Sequence, residues 1–81
     1  MYDPKPTVGR IVIYHLIDTG AVVPAVVVAV DVLDPDRLEL HVMHPQYQTP
    51  EGETIKAGCF HTAITKKGDG AGQWGWPPRV Q

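Results

Sequence analysis

Hydrophobic residues along the chain fall into short β-branched runs separated by turn residues, a pattern typical of β-strands. Val8–His15 reads VGRIVIYH and leads into Asp18–Gly20, which predicts a strand followed by a hairpin turn. The apolar run Val22–Val32 is long enough for a buried helix, yet its clustered valines and Pro24 favour a second strand. Asp34–Asp36 contains a proline between two aspartates and predicts the turn after that strand.

The second half of the chain predicts two or three further strands. Leu38–Met43 alternates between apolar and more polar positions, so this third strand should have one face toward a core and one toward water. The proline-rich and polar segment Pro45–Glu53 predicts a long loop. We expect a fourth strand over Ile55–Thr65, with Gly58 as a candidate bulge, and a short last strand over Gln73–Trp76.

These elements predict an all-β fold. Four or five antiparallel strands with hairpin connections cannot bury both faces of a flat sheet, so they should curl into a small antiparallel barrel of the SH3-like or OB-like type. The 81 residues are enough for one domain, spanning residues 1–81. Open sheet edges would remain, and pairing them between copies predicts a homo-oligomer, a dimer or larger.

Composition and charge narrow the classes of partner. Hydrophobic residues make up 43% and charged residues 20%, as in ordinary globular domains, and the formal net charge of -2 makes nucleic-acid binding an unfavoured function. Cys59 is alone and cannot form a disulfide within the chain. The start MYDPKPT lacks the features of a signal peptide, and the apolar stretch Ala21–Val30 is too short to cross a membrane. We therefore expect a cytoplasmic protein without a membrane partner.

Four residues of the types that zinc prefers occur in or near the third and fourth predicted strands: His41, His44, Cys59 and His61. His44 lies beyond the end of its predicted strand, and the paired short spacings of a structural zinc site are missing. A small buried cysteine and histidines on a wet strand face are the favoured interpretation. Cys59 with His61 or His41 is also a hypothesis for a nucleophile and base, but no third, orienting group can be identified. We expect no catalytic residues, no metal and no cofactor.

Glycines at every second position, Gly68, Gly70 and Gly72, form a loop before the last predicted strand. A dinucleotide fingerprint requires a helix after such a loop, and the segment that follows, QWGWPP, cannot begin one. Two interpretations remain open. The loop amides form an anion-binding nest beside Lys66, Lys67 and Arg79, or the loop is a simple glycine hairpin with two lysines in water, which is favoured.

Both tryptophans of the chain lie within three residues, at positions i and i+2 of a predicted strand. Trp74 and Trp76 should therefore point the same way. One interpretation is that an aromatic ring closes an open end of the barrel. The other is a contact surface for another subunit or for a flat ligand that stacks on an indole. The candidate ligand-binding residues are Trp74, Trp76, Arg79, Lys66, Lys67 and His61.

Three segments together carry a resemblance to a known group of proteins: PTVGRIVIY over Pro6–Tyr14, the central AVVVAV, and GAGQWGWPPRV over Gly70–Val80. They resemble small tailed-bacteriophage proteins that begin with a Val-Gly-Arg-Ile-Val segment and end with a Gly-Thr-Trp-His-Trp-Pro type motif, then an acidic residue and arginine. Trp74, Trp76, Pro77 and Arg79 match that closing motif. Gln73, Gly75 and Pro78 occupy positions of that motif where its proteins have other residues. The resemblance implies a phage origin and no particular mechanism.

A phage origin changes the functions to be expected of so small a chain. The first hypothesis is a non-enzymatic accessory protein that binds and sequesters a small ligand, most simply a cyclic nucleotide-type signal of host defence, in the host cytoplasm. Such an anti-defence sponge needs an oligomeric barrel, an aromatic stacking face and phosphate-binding donors. The alternative is a virion or protein-interaction module, a capsid or tail accessory or an inhibitor of a host protein, whose tryptophans are interface anchors.

Overall fold

The computed structural model describes residues 5–77, and in this range it contains eight β-strands and no helix. The alternating and β-branched runs recognised in the sequence form the three longest strands. The strands are β1 (Ile11–His15), β2 (Val22–Val30), β3 (Arg37–His44), β4 (Tyr47–Gln48), β5 (Thr54–Ile55), β6 (Gly58–His61), β7 (Thr65–Lys66) and β8 (Trp74–Gly75). Among the residues described, no helix has the length and apolarity that crossing a membrane requires.

The main sheet is antiparallel and has the strand order β6-β3-β2-β1-β8, with β7 also paired to β3. Side chains alternate across it, so that one set of positions from each long strand meets in a single core. The core consists of the buried side chains Val12, Tyr14, Leu16, Val23, Ala25, Val27, Leu38, Leu40, Val42 and Trp74.

A bulge in β2 keeps the hydrophobic pattern in phase with the core. Val27 pairs with Leu40, but the next pair is Ala29 with Glu39, so Val28 is an extra residue on β2. The extra residue turns Val30 inward, where it packs against the core. The continuous valine run of the sequence is thus a strand that changes face once.

The segment predicted as one fourth strand is divided into β5, β6 and β7. His41 pairs with His61, whereas Leu38 pairs with Thr65, so one extra residue lies between these two pairs on the strand that faces β3. The irregularity therefore follows His61, while Gly58, the candidate bulge, pairs regularly with His44.

The long predicted loop contains a strand of its own. Tyr47–Gln48 pairs with Thr54–Ile55 in a small second sheet, β4-β5, and the residues between them form the connecting turn. Its closure uses a backbone hydrogen bond of 2.9 Å from Thr49 N to Glu53 O and the positive φ of Gly52. This hairpin carries Tyr47 to the end of the main sheet.

The expected all-β, antiparallel fold is confirmed. Closure of the sheet into a barrel would require β8 to pair with a second strand besides β1. On that side the described residues show one isolated parallel bridge, between Lys67 and Trp74. A single bridge is not a ladder, so the closed SH3-like or OB-like barrel stays a prediction.

Candidate functional site

Two concave surfaces lie on opposite faces of β1. Because successive side chains of a strand alternate, Ile13 and His15 face outward, whereas Tyr14 and the following Leu16 face the core. The outward pair borders a groove next to the glycine-rich loop, and the inward pair borders a cavity at one end of the core. We call the first the tryptophan groove and the second the aromatic cavity.

The tryptophan groove has a volume of about 320 Å³. One wall comes from β1, and the other comes from the segment after β7 and from β8. The residues that line it are Ile13, His15, Lys67, Gly68, Asp69, Trp74, Gly75 and Trp76. Its polar groups are therefore one ammonium, one imidazole and one carboxylate on otherwise apolar walls.

The glycine-rich loop is held by hydrogen bonds within the chain. The amides of the three alternate glycines all donate: Gly68 N to Trp74 O at 2.8 Å, Gly70 N to Gln73 Oε1 at 2.8 Å, and Gly72 N to His15 O at 2.7 Å. These donors are already engaged, which disfavours the anion-binding nest and favours the hairpin interpretation. These three amides therefore do not contribute to an anion site.

The two indoles contact each other but differ in exposure. Trp74 is 0% exposed and belongs to the core, where its Nε1–H donates to the carbonyl oxygen of Asp36 at 2.7 Å. Trp76 is half-buried and packs against the core from outside. Their ring centroids lie 5.5 Å apart in an edge-to-face arrangement. The ring of Trp76 is thus the indole of this pair that a ligand can reach.

Cationic side chains lie over both indoles. The guanidinium carbon of Arg10 is 5.4 Å from the ring centroid of Trp76, and the Lys67 ammonium is 5.9 Å from that of Trp74. Both charges are carried by exposed residues. The negatively charged carboxylate of Asp69 lines the tryptophan groove together with Lys67. The groove lining thus carries one positive and one negative side chain, Lys67 and Asp69, and Arg10 adds a second cation beside the Trp76 ring.

The structure brings together only part of the predicted ligand-binding set. Lys67, Trp74 and Trp76 line the groove. Lys66 is exposed on β7 and His61 is exposed on β6, and neither lines it. Arg79 lies outside the described residues.

The four residues of the zinc hypothesis lie on two different sides of the sheet. His41 and His61 are cross-strand partners on the outer side, where His61 Nε2 contacts Glu39 Oε1. Cys59 lies on the same outer side of β6 and is exposed, so the expected burial of this cysteine is wrong. His44 projects to the inner side, and its ring contacts Tyr47 and Phe60. Within residues 5–77 no three His, Cys, Asp or Glu side chains are grouped so that they could hold a metal ion.

The aromatic cavity has a volume of about 220 Å³. It is lined by Tyr14, Leu16, Ile17, Asp18, Tyr47 and Phe60. The hydroxyl of Tyr47 donates to Asp18 Oδ2 at 2.9 Å. Burial, the hydrogen bond to Asp18 and the charge of that carboxylate raise the pKa of Tyr47, and burial raises that of Tyr14. Both phenols are therefore protonated at neutral pH, and Asp18 keeps its donor.

The sequence did not identify the residues that complete these two sites. His15 lines the groove and Arg10 lies over the Trp76 ring. Both depend on the pairing of β1 with the distant β8, which no local sequence pattern predicts. Asp18 and Tyr47 are 29 positions apart and meet through the β4-β5 hairpin. Alternation along β1 is the one local signal that separates the two faces.

Comparison of the chain with protein-family models, with curated proteins and with solved structures gave no match. The resemblance to tailed-phage proteins therefore stays an expectation from the sequence.

Proposed function

We propose that this chain is a non-enzymatic protein that binds and sequesters a small planar, negatively charged ligand in the tryptophan groove. The observation that supports this most is the presence of the half-buried Trp76, Lys67 and His15 on one groove. A base stacked on an aromatic side chain gains about 1 to 3 kcal/mol, and the ammonium and imidazole can donate to phosphate. A cyclic nucleotide-type signal of host defence fits this chemistry, and the sequence resemblance supplies the phage context.

The size of the groove favours one base per chain. Small-molecule sites span roughly 300 to 1,000 Å³, and the groove, at about 320 Å³, lies at the lower limit. A cyclic di- or trinucleotide carries several bases, so each base would require its own copy of the chain. The proposal therefore includes a homo-oligomer whose grooves face one another.

A thermal-shift panel of cyclic dinucleotides, cyclic trinucleotides and cyclic ADP-ribose isomers tests this function. A ligand present at 100 times its Kd adds about 2.7 kcal/mol to the free energy of unfolding, which raises the melting temperature by several degrees. We expect one class to raise it in the unmodified protein, and Lys67→Ala and Trp76→Leu to lose most of that shift. Lys56→Ala removes an exposed lysine that does not line the groove and should keep it. A panel without any shift would eliminate the sponge.

A protein-interaction module is the second candidate, and a different observation favours it. The outer face of the sheet carries apolar cross-strand pairs between β1 and β2, namely Ile11 with Val26 and Ile13 with Pro24. Ile11 is 58% and Val22 is 55% exposed. Exposed apolar surface of this kind marks contact sites in small proteins. If the chain is a virion component, mass spectrometry of purified particles will detect it, and its absence from particles excludes that role.

A further inference from the structure

The aromatic cavity lies on the inner side of β1, away from the tryptophan groove. Its walls come from the end of β1, from the turn after it, from the β4-β5 hairpin through Tyr47, and from β6 through Phe60. Phe60 is 38% and Ile17 is 73% exposed. The core thus remains open at this end, with large apolar side chains at the opening.

Four rings form a continuous chain around this opening. Tyr14 and Phe60 meet edge to face at a centroid distance of 6.1 Å. His44 contacts Phe60 at 5.8 Å and Tyr47 at 5.4 Å. Three of these rings, those of Tyr14, Tyr47 and Phe60, line the cavity. Aromatic faces carry negative partial charge, so a cavity with several of them attracts cations.

A carboxylate lies at the rim of the same cavity. Asp18 Oδ2 accepts a hydrogen bond from Tyr47, and Oδ1 makes none among residues 5–77. The residues that line the cavity within that range include no lysine, arginine or histidine. The Asp18 carboxylate thus accepts one hydrogen bond from a phenol and has no cationic side chain beside it in the cavity lining.

We propose that the aromatic cavity is a second binding site, which takes up an organic cation of the alkylammonium class between the Tyr14, Tyr47 and Phe60 rings and the Asp18 carboxylate. Alkyl groups on the cation fill the apolar volume, and its charge interacts with the ring faces and the carboxylate. A simple metal cation does not fit, because it would need several oxygen ligands where the cavity offers apolar walls. The site does not depend on the function proposed for the tryptophan groove.

Choline and its uncharged isostere 3,3-dimethyl-1-butanol test the proposal, with ¹⁵N-labelled protein observed by NMR. We expect choline to shift amide resonances of Tyr14, Asp18 and Phe60 and to bind at least tenfold more tightly than the isostere. Asp18→Asn keeps the shape of the side chain and should weaken choline binding roughly tenfold. Asp69→Asn removes the same charge at the tryptophan groove and should leave choline binding unchanged.

A second variant and a second probe complete the test. Phe60→Leu keeps an apolar side chain at the rim without a ring and should lose most of the choline affinity while its spectrum stays dispersed. Nε-trimethyllysine amide distinguishes two sources of the cation. If it binds more tightly than choline, the natural ligand is a methylated side chain of a protein; if it binds equally, the ligand is a free alkylammonium ion. Equal binding of choline and its isostere, an unchanged affinity of Asp18→Asn, or no shift with choline overturns the proposal.

Discussion

At the residue scale, the two tryptophans have separate roles although they are two positions apart. Trp74 fills the core and donates its indole N–H to Asp36 O, so its large side chain stabilises the fold. Trp76 lies half-buried against the same core and borders the groove. Fold stability should therefore depend on Trp74, whereas ligand binding should depend on Trp76.

Replacing Trp74 with phenylalanine should lower the free energy of unfolding by about 2 to 4 kcal/mol. The change leaves a cavity in the core and removes the donor to Asp36 O. Trp76→Phe makes the same chemical change at a half-buried position and should cost less than about 1 kcal/mol. Urea denaturation followed by circular dichroism measures both. Equal losses in the two variants would contradict the assignment of different roles.

The sequence predicts that Trp74 and Trp76 point the same way, and their edge-to-face contact agrees with that. It does not predict which indole is covered. Burial of Trp74 depends on the turn at Asp36, 38 positions earlier, which supplies the acceptor for its indole N–H. The alternation of residues along a strand predicts which side chains share a face. It does not predict which of them are buried, because the segments that cover them are distant in the sequence.

At the scale of elements, β3 is the strand on which the sheet depends. It pairs with β2 on one side and with both β6 and β7 on the other. Between β6 and β7 the ladder continues through Thr62: its amide donates to Leu40 O at 2.8 Å, and its hydroxyl accepts from Leu40 N at 3.1 Å. The hydroxyl thus replaces a backbone carbonyl where the chain leaves the ladder.

Thr62→Val should destabilise the protein by about 1 to 3 kcal/mol, because it leaves the buried amide of Leu40 without an acceptor. Thr19→Val removes a hydroxyl that accepts from Ala21 N at an exposed turn, where water can replace it, and should cost less than about 0.5 kcal/mol. Chemical denaturation compares the two. A loss for Thr62→Val no larger than that for Thr19→Val would show that the hydroxyl does not support the ladder.

The three long strands were predictable because their patterns are local. Leu38, Leu40 and Val42 alternate in the sequence and are all fully buried. The segment Ile55–Thr65 has the composition of one strand, yet the side-chain bond of Thr62 to Leu40 interrupts it, and composition carries no information on such a bond. The composition of Pro45–Glu53 likewise predicts a loop and does not show that Tyr47 begins a hairpin, because its partner strand is only two residues long.

At the scale of the whole molecule, the outer side of β1 and β2 is an apolar surface that no segment within residues 5–77 covers. Its exposed members include Ile11, Val22 and Val28. Contact with another molecule would remove this apolar surface from water, which is favourable, and contiguous exposed apolar surface marks contact sites in small proteins. This surface supports the homo-oligomer that we propose for binding a cyclic nucleotide.

We predict that light scattering finds a mass at least twice the 8.9 kDa of one chain. Val22→Lys places a charge on the apolar sheet face and should shift the protein to monomers. Val32→Lys is the same substitution at a residue that is 94% exposed in a turn outside the sheet, and should leave the mass unchanged. An unmodified protein that stays at the mass of one chain at high concentration contradicts this prediction.

The most direct test of ligand binding in the tryptophan groove is to follow the two indole N–H resonances by ¹H–¹⁵N NMR while a nucleotide signal is added. Trp74 is sealed in the core and hydrogen-bonded to Asp36 O, so its resonance is an internal reference, whereas Trp76 borders the groove. We predict that at least one cyclic nucleotide moves the Trp76 resonance much more than that of Trp74, and that Lys67→Ala abolishes the effect. Indole resonances that stay in place with every nucleotide at millimolar concentration would contradict the account.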